Sequence, residues 1–234
     1  MKKILSSVIV ASFVTTVLSA DPAKIDWSNT SLGADVGTTG IGITGVKQLK
    51  DYPKWAIRFG AHKYSKNYTT TDNDADYDFD LNLADVQLMA DYHPWMSSFK
   101  VTVGALYNGT DFKGKITPRG TSYTFNGHTY TTSQIGNVDT KVDFDNSIAP
   151  YLGIGWDTSF NKPEKTWGFT FNIGVAYTGS AKVSYTPNIS SSVSASDKQK
   201  ILNDLEVEKR SLQDDLDKYK YLPYISIGFN YKFN

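Results

Sequence analysis

The chain has no cysteine among its 234 residues, which excludes a disulfide framework, a thiolate metal site, a cysteine nucleophile and a lipidated N-terminal cysteine. It also lacks a charge bias: 24 Lys and Arg balance 24 Asp and Glu, where a general nucleic-acid binder shows a basic excess. Beyond the first twenty residues no apolar run approaches the roughly 20 residues that a membrane-spanning helix needs. Proline is scarce, at 8 residues. Aromatic residues are abundant instead, with 15 Tyr, 12 Phe and 5 Trp. That much aromatic surface seeks burial in protein or lipid and excludes intrinsic disorder. The length suits one sizeable domain or two small ones.

Residues 1–20 read as an export signal. Met1-Lys2-Lys3 is a positive head, Ile4 to Leu18 an apolar stretch, and Ser19-Ala20 a small-residue cleavage site. The expected mature domain is residues 21–234, and the expected address is the bacterial cell outer membrane.

The mature chain alternates with period two. Trp55, Ile57, Phe59 and Ala61 interleave with Ala56, Arg58, Gly60 and His62. The same pattern runs through 99–108, 148–157, 167–178 and 225–233, and more weakly through the glycine-rich 32–46. Residues 77–92 alternate as well, with a change of phase that predicts a bulge near 84–86. A soluble sandwich also alternates. Two features favour a membrane barrel: strands reach the roughly 9–11 residues that cross a bilayer, and tryptophans sort by turn length. Trp55, Trp95, Trp156 and Trp167 all flank short turns, at 48–54, 93–98 and 158–165, as an interfacial girdle requires. Long polar connections near 70–76, 113–137 and 179–222 occupy the other end.

The fold class expected is all-β: an antiparallel eight-stranded transmembrane β-barrel with one amphipathic helix before the last strand. Seven strands are plain. An even count requires one more, which the sequence leaves unplaced; Thr38-Thr39-Gly40 would split 31–48 into halves short for a crossing. Tyr123 to Tyr130 predicts a hairpin turning at Asn126-Gly127. Residues 196–218 have helical spacing, with Ile201, Leu205, Leu212, Leu216 and Tyr219 on one face and a capping box from Ser196 and Gln199. Lys200–Asp204, Glu206–Arg210 and Asp214–Lys218 are spaced to pair. Such a helix either caps the lumen or rests on the rim.

On this pattern the lumen-lining side chains are Arg58, His62, Asp85, Gln87, Asp91, Lys100, Asn172 and Asn230, joined by Asn108 and Lys232. Their mixed signs predict an internal network, either a polar path for a small zwitterionic or cationic solute or the filling of a narrow barrel. Inward glycines leave a gap or admit neighbouring bulk. Asp72, Asn73, Asp74, Asp76, Asp78 and Asp80 mimic the start of a calcium loop. Tyr77 and Leu83 stand where an EF-hand needs Gly and Glu, so a solvated acidic loop near lipopolysaccharide is the expectation. No catalytic residue, metal ligand or cofactor site is identified. His93 lies in a short turn, His128 at a hairpin tip, and His62 has no serine at a telling spacing. The expected partners are outer-membrane lipids and lipopolysaccharide, with no nucleic acid, and a monomer is favoured.

Several segments resemble the CarO-like family of small outer-membrane porins, named for carbapenem susceptibility. They are Gly33-Ala34-Asp35-Val36-Gly37-Thr38-Thr39-Gly40, Asn146 to Gly155, and Val175-Ala176-Tyr177-Thr178-Gly179, with a charged helix before the last strand. The resemblance covers most of the mature chain in order and spacing. It implies an eight-stranded barrel and a link with uptake of small basic amino acids and permeation of a β-lactam, without identifying a ligand-contacting residue. A porin-like barrel is the leading expectation, and a non-transporting barrel that stabilises the envelope or displays its loops is the alternative.

Overall fold

The computed structural model describes residues 27–71, 75–160 and 165–233. The proposed signal segment and Asp72, Asn73 and Asp74 lie outside the described residues. The strands are β1 (Thr30–Gly37), β2 (Gly40–Gln48), β3 (Trp55–Thr71), β4 (Ala75–Tyr92), β5 (Phe99–Asn108), β6 (Asp111–Pro118), β7 (Ser122–Phe125), β8 (His128–Thr131), β9 (Ile135–Phe144), β10 (Ile148–Asp157), β11 (Trp167–Tyr177), β12 (Ala181–Ile189) and β13 (Tyr221–Phe233). The helix α1 (Ala195–Leu216) precedes the last strand.

Antiparallel pairings run from β1 through β2, β3, β4, β5, β10, β11 and β13 back to β1. The ring therefore has eight members of unequal length, from 8 residues in β1 to 18 in β4. The unplaced strand is β1. The segment 31–48 folds back on itself at Thr38-Thr39, where Gly40 takes φ +114°, and β1 pairs with β2 from Gly37↔Gly40 to Thr30↔Lys47. Eight or nine residues span only about 26–30 Å along a strand, close to the roughly 25 Å apolar band of such barrels. The turn is also held from outside the hairpin: Thr38 N donates to Ile225 O at 2.9 Å and its hydroxyl to Pro223 O at 3.0 Å.

On the ring, outward side chains are apolar and exposed: Leu32, Val36, Ile41, Ile43, Leu88, Leu152, Ile227 and Phe229 among them. Hydrocarbon accommodates such a band; water does not. The short-turn end carries the aromatic girdle, with ring contacts Trp55–Tyr92 at 4.8 Å, Trp95–Phe99 at 5.3 Å, Phe99–Trp156 at 5.5 Å and Trp167–Tyr231 at 5.2 Å. Trp27 joins it against Phe233, at 5.3 Å.

The long connections are not loops. Above the ring, β3 and β4 continue, and β6, β9 and β12 extend β5, β10 and β11 after breaks at 109–110, 145–147 and 178–180. The β4–β6–β9–β12 pairings make a sheet projecting beyond the barrel. The expected bulge in 77–92 is absent, since β3 and β4 pair residue for residue from Trp55↔Tyr92 to Thr71↔Asp76. What changes is the environment. Along the ring the inner face of β4 is polar (Asp85, Gln87, Asp91), while above it the same face is apolar (Tyr77, Phe79, Leu81, Leu83) and the outer face carries Asp76, Asp78 and Asp80. The strand stays in phase while its surroundings exchange hydrocarbon for water.

Helix α1 covers the apolar inner face of this projection, with Ile201 and Leu205 buried against Tyr130, Ile135 and Val138. It lies nearest β12 and the β7–β8 hairpin and packs on β9, so it rests on the projection and not inside the polar ring. The hairpin forms as the sequence predicts, with Asn126 at φ +46° and Gly127 at φ +75°, but it is docked on the helix instead of standing free. The N-cap is Ser194, not Ser196. Its hydroxyl accepts from Asp197 N at 3.1 Å and donates to Asp197 Oδ2 at 2.8 Å, so the box is Ser-x-x-Asp two residues earlier. Glu206 pairs with Arg210, whereas Lys200 pairs with Asp197, since Asp204 is engaged by the hairpin, and Lys218 pairs with Asp215.

Candidate functional site in the barrel interior

Inward positions of β3, β4 and β5 meet through the antiparallel register, which sets Asp91 against Ala56 on one side and Thr102 on the other. Asp91 accepts from Arg58 Nε at 3.0 Å and Nη2 at 3.3 Å, from Lys100 Nζ at 2.8 Å and from the Thr102 hydroxyl at 2.6 Å. One carboxylate thus serves two cations. All three charged groups are buried, Lys100 at 0% exposure. Ion pairs so far from water persist only when nearly every polar atom is matched.

The network climbs from there. Arg58 Nη1 donates to Gln87 Oε1 at 3.3 Å, and Gln87 Nε2 to the Tyr224 hydroxyl at 3.1 Å. His62 lies between two carboxylates, with Nδ1 2.9 Å from Asp85 and Nε2 3.0 Å from Asp35. Donation to both at once requires protons on both ring nitrogens. Toward the short turns Asn172 donates to the Ser226 hydroxyl at 3.0 Å and Asn230 to Ser159 at 3.3 Å. Lys232 and Asn108 are buried too.

Packed against the charges is an apolar patch of Met89, Leu106, Ala149, Tyr151, Ala176 and Tyr224, in which the two tyrosine rings meet edge-on at 5.5 Å. Inward glycines make room for such bulk. A Cβ at Gly42 would sit 2.1 Å from His62 Cδ2. Several buried polar atoms have no protein hydrogen-bond partner among the described residues: Asp35 Oδ1, Asp85 Oδ2, Tyr151 Oη, Asn172 Oδ1 and Asn230 Oδ1. Atoms of this kind can receive water or a polar guest.

The structure places all eight sequence-identified interior residues among the buried ones: Gln87, whose Nε2 lies 3.4 Å from His62 Nδ1, joins the Asp91 group to the His62 group, and Asn172 and Asn230 form a lower pair of amides. Sequence reasoning missed Asp35, Thr102, Tyr151 and Tyr224 as partners. Asp35 sits in the weak glycine-rich stretch, although its alternation with Ala34 and Val36 already marks it as inward. No three or more metal-ligating side chains converge among the described residues. The acidic run Asp76, Asp78 and Asp80 is a strand face in which Lys115 opposes Asp78 and Lys113 opposes Asp80, with Arg119 2.8 Å from Asp76.

No protein-family model and no curated protein matches the chain. Solved structures resemble it, two of them from one organism. CarO of Acinetobacter baumannii shares 26% identity, with 87% of this chain and 97% of that one covered at a TM-score of 0.55. CarO2 of the same organism shares 24%, with 89% and 100% covered, also at 0.55. Ring, aromatic girdle, polar interior and structural likeness converge: the chain has a CarO-like outer-membrane β-barrel fold.

Proposed function

We propose that this porin-like protein lets small polar solutes cross the bacterial outer membrane slowly, through a constricted lumen, with the aromatic girdle at the periplasmic interface. The observation that carries the reading is the buried, mixed-sign column from Asn230 to Asp35, whose unpartnered acceptors offer sites to a small zwitterion or cation such as a basic amino acid. Each buried ion costs several kcal/mol to dehydrate, of order 3–5 kcal/mol if left unpaired, so the opposite signs of the column hold one another in place. The outward Asp–Lys face of the projection suits a lipopolysaccharide layer. Liposome swelling and planar-bilayer conductance test the reading. Arginine or lysine flux above empty liposomes, altered by Arg58→Gln or Asp85→Asn, supports it; no flux in the wild type or in any truncation of 118–134 overturns it.

A second reading rests on a different observation. Arg58, Gln87, Asp91 and Lys100 are so closely packed that each is at most 3% exposed, as a permanently closed barrel requires. In that case the same substitutions change stability and leave the conductance at the lipid baseline.

A further inference from the structure

Outside the lumen, helix and projection do not close completely on one another. Gln213 pins α1 to the edge strand β12, accepting from Val183 N at 3.0 Å and donating to Ala181 O. Between that anchor and the middle of the sheet lies a cavity of about 420 Å³. It is walled by Phe79, Phe112, Ile116 and Val142 of the sheet and roofed by Leu212 and Leu216 of the helix, with Thr140 and Tyr185 as its hydroxyl-bearing residues. That volume lies within the range of small-ligand pockets, and the wall is apolar enough to hold hydrocarbon or an aromatic body.

The sheet face that forms this wall carries one charge on its open side. In β3 the inner face continues as Tyr64, Lys66 and Tyr68, opposite Leu83, Leu81 and Phe79. Tyr64 and Tyr68 are exposed, and Lys66 Nζ stands 5.8 Å from the Tyr68 ring centroid. The register places Lys66 diagonally across from Phe79, a separation of about 7–8 Å between such neighbours. Asp76, Asp78 and Asp80 of the projecting part of β4 point to the opposite face, and no ion pair joins Lys66 among the described residues. A lone cation beside an apolar cavity is complementary to an anion with an apolar body.

We propose that this cavity binds a monoanionic amphiphile. Its apolar body, a short acyl chain or one or two fused rings, lies between α1 and the sheet, and its carboxylate, sulfonate or phosphate group sits on Lys66. The site is separate from the lumen and stands whether or not the barrel conducts.

The probe is 1-anilinonaphthalene-8-sulfonate, titrated into the full-length protein in phosphatidylcholine nanodiscs, with empty nanodiscs subtracted. The uncharged analogue N-phenyl-1-naphthylamine is run in parallel. Saturable fluorescence enhancement is expected for both dyes. Lys66→Gln weakens the sulfonate about fivefold, the scale of a partly exposed charge pair, and leaves the neutral dye unchanged, while Lys66→Arg retains both. Leu216→Trp fills the cavity and removes both signals. Retained heat-modifiable gel mobility shows that each variant is folded; should Leu216→Trp fail there, Val142→Phe replaces it. Wild-type enhancement equal to that of empty nanodiscs overturns the proposal, as does sulfonate affinity indifferent to Lys66→Gln and to the filled cavity.

Discussion

Asp91 is where the interior concentrates its electrostatics. Replacing it by Asn leaves Arg58 and Lys100 buried side by side without the carboxylate they share, a loss expected at about 3–5 kcal/mol. Thr102→Val removes a single hydrogen bond and should cost about 1–2 kcal/mol. Urea unfolding from lipid vesicles measures both, and equal midpoints for the two variants would contradict the shared-carboxylate geometry. Gly42→Ala drives a methyl into His62 and Ala61 O, at 2.1 and 2.4 Å, and should cost about 1–3 kcal/mol. Gly45→Ala, where the new atom stays 3.2 Å from the flexible Leu32 terminus, should cost distinctly less in the same assay.

Asp204 offers a pH handle away from the membrane. The hydroxyl of Tyr130, Asn126 Nδ2 at 3.0 Å and His128 Nδ1 at 2.9 Å all converge on it. These bonds, Tyr130's first, hold the Asp204 carboxyl below its ordinary range, while burial and the same carboxylate push the Tyr130 phenol up to about 12. A depressed carboxylate contributes stability that is complete above its unfolded value, about 3.9, and is lost as pH falls through the lower folded value. Amide protection of 122–131 should therefore hold at neutral pH and collapse only under acid. Loss of protection between pH 7 and 5 would contradict the latch.

Among the elements, the helix is the clearest contrast between pattern and placement. Its 3.6-residue spacing marks the apolar face, but two serines two residues apart compete to cap it, and local sequence does not rank them. The chain ahead of α1 decides, since Ser194 is extended at φ −61°, ψ 154° and reaches Asp197 N. Ser194→Ala should lower protection of the first helical turn by about 1 kcal/mol, and Ser196→Ala by much less. Hydrogen exchange on residues 197–201 separates the two. Strand β4 is the second contrast. Its apparent phase slip predicts a bulge only if one solvent surrounds the whole strand, and it is the solvent that changes near Ala84 and Asp85. The hairpin β1–β2 is the third: its halves look too short alone, and pairing with β13 and β3 supplies what length does not.

At the scale of the whole molecule, hydrocarbon surrounds a middle band of the ring and the tryptophans mark one edge of it. Trp27, Trp55, Trp95, Trp156 and Trp167 share the short-turn end. In vesicles, their emission should be quenched strongly by lipids brominated near the headgroup and weakly by lipids brominated at the chain terminus. Stronger quenching from the bilayer centre would remove the girdle.

Alternation and composition alone determine the strand faces, the barrel class, the aromatic edge and the polarity of the interior, because a period of two assigns each side chain to a face whatever its neighbours are. The tertiary structure decides the rest. Which cation meets which carboxylate depends on register between strands distant in sequence. The sheet above the ring, and the helix lying on it, depend on where lipid ends, a boundary set by the assembled barrel and written in no single segment.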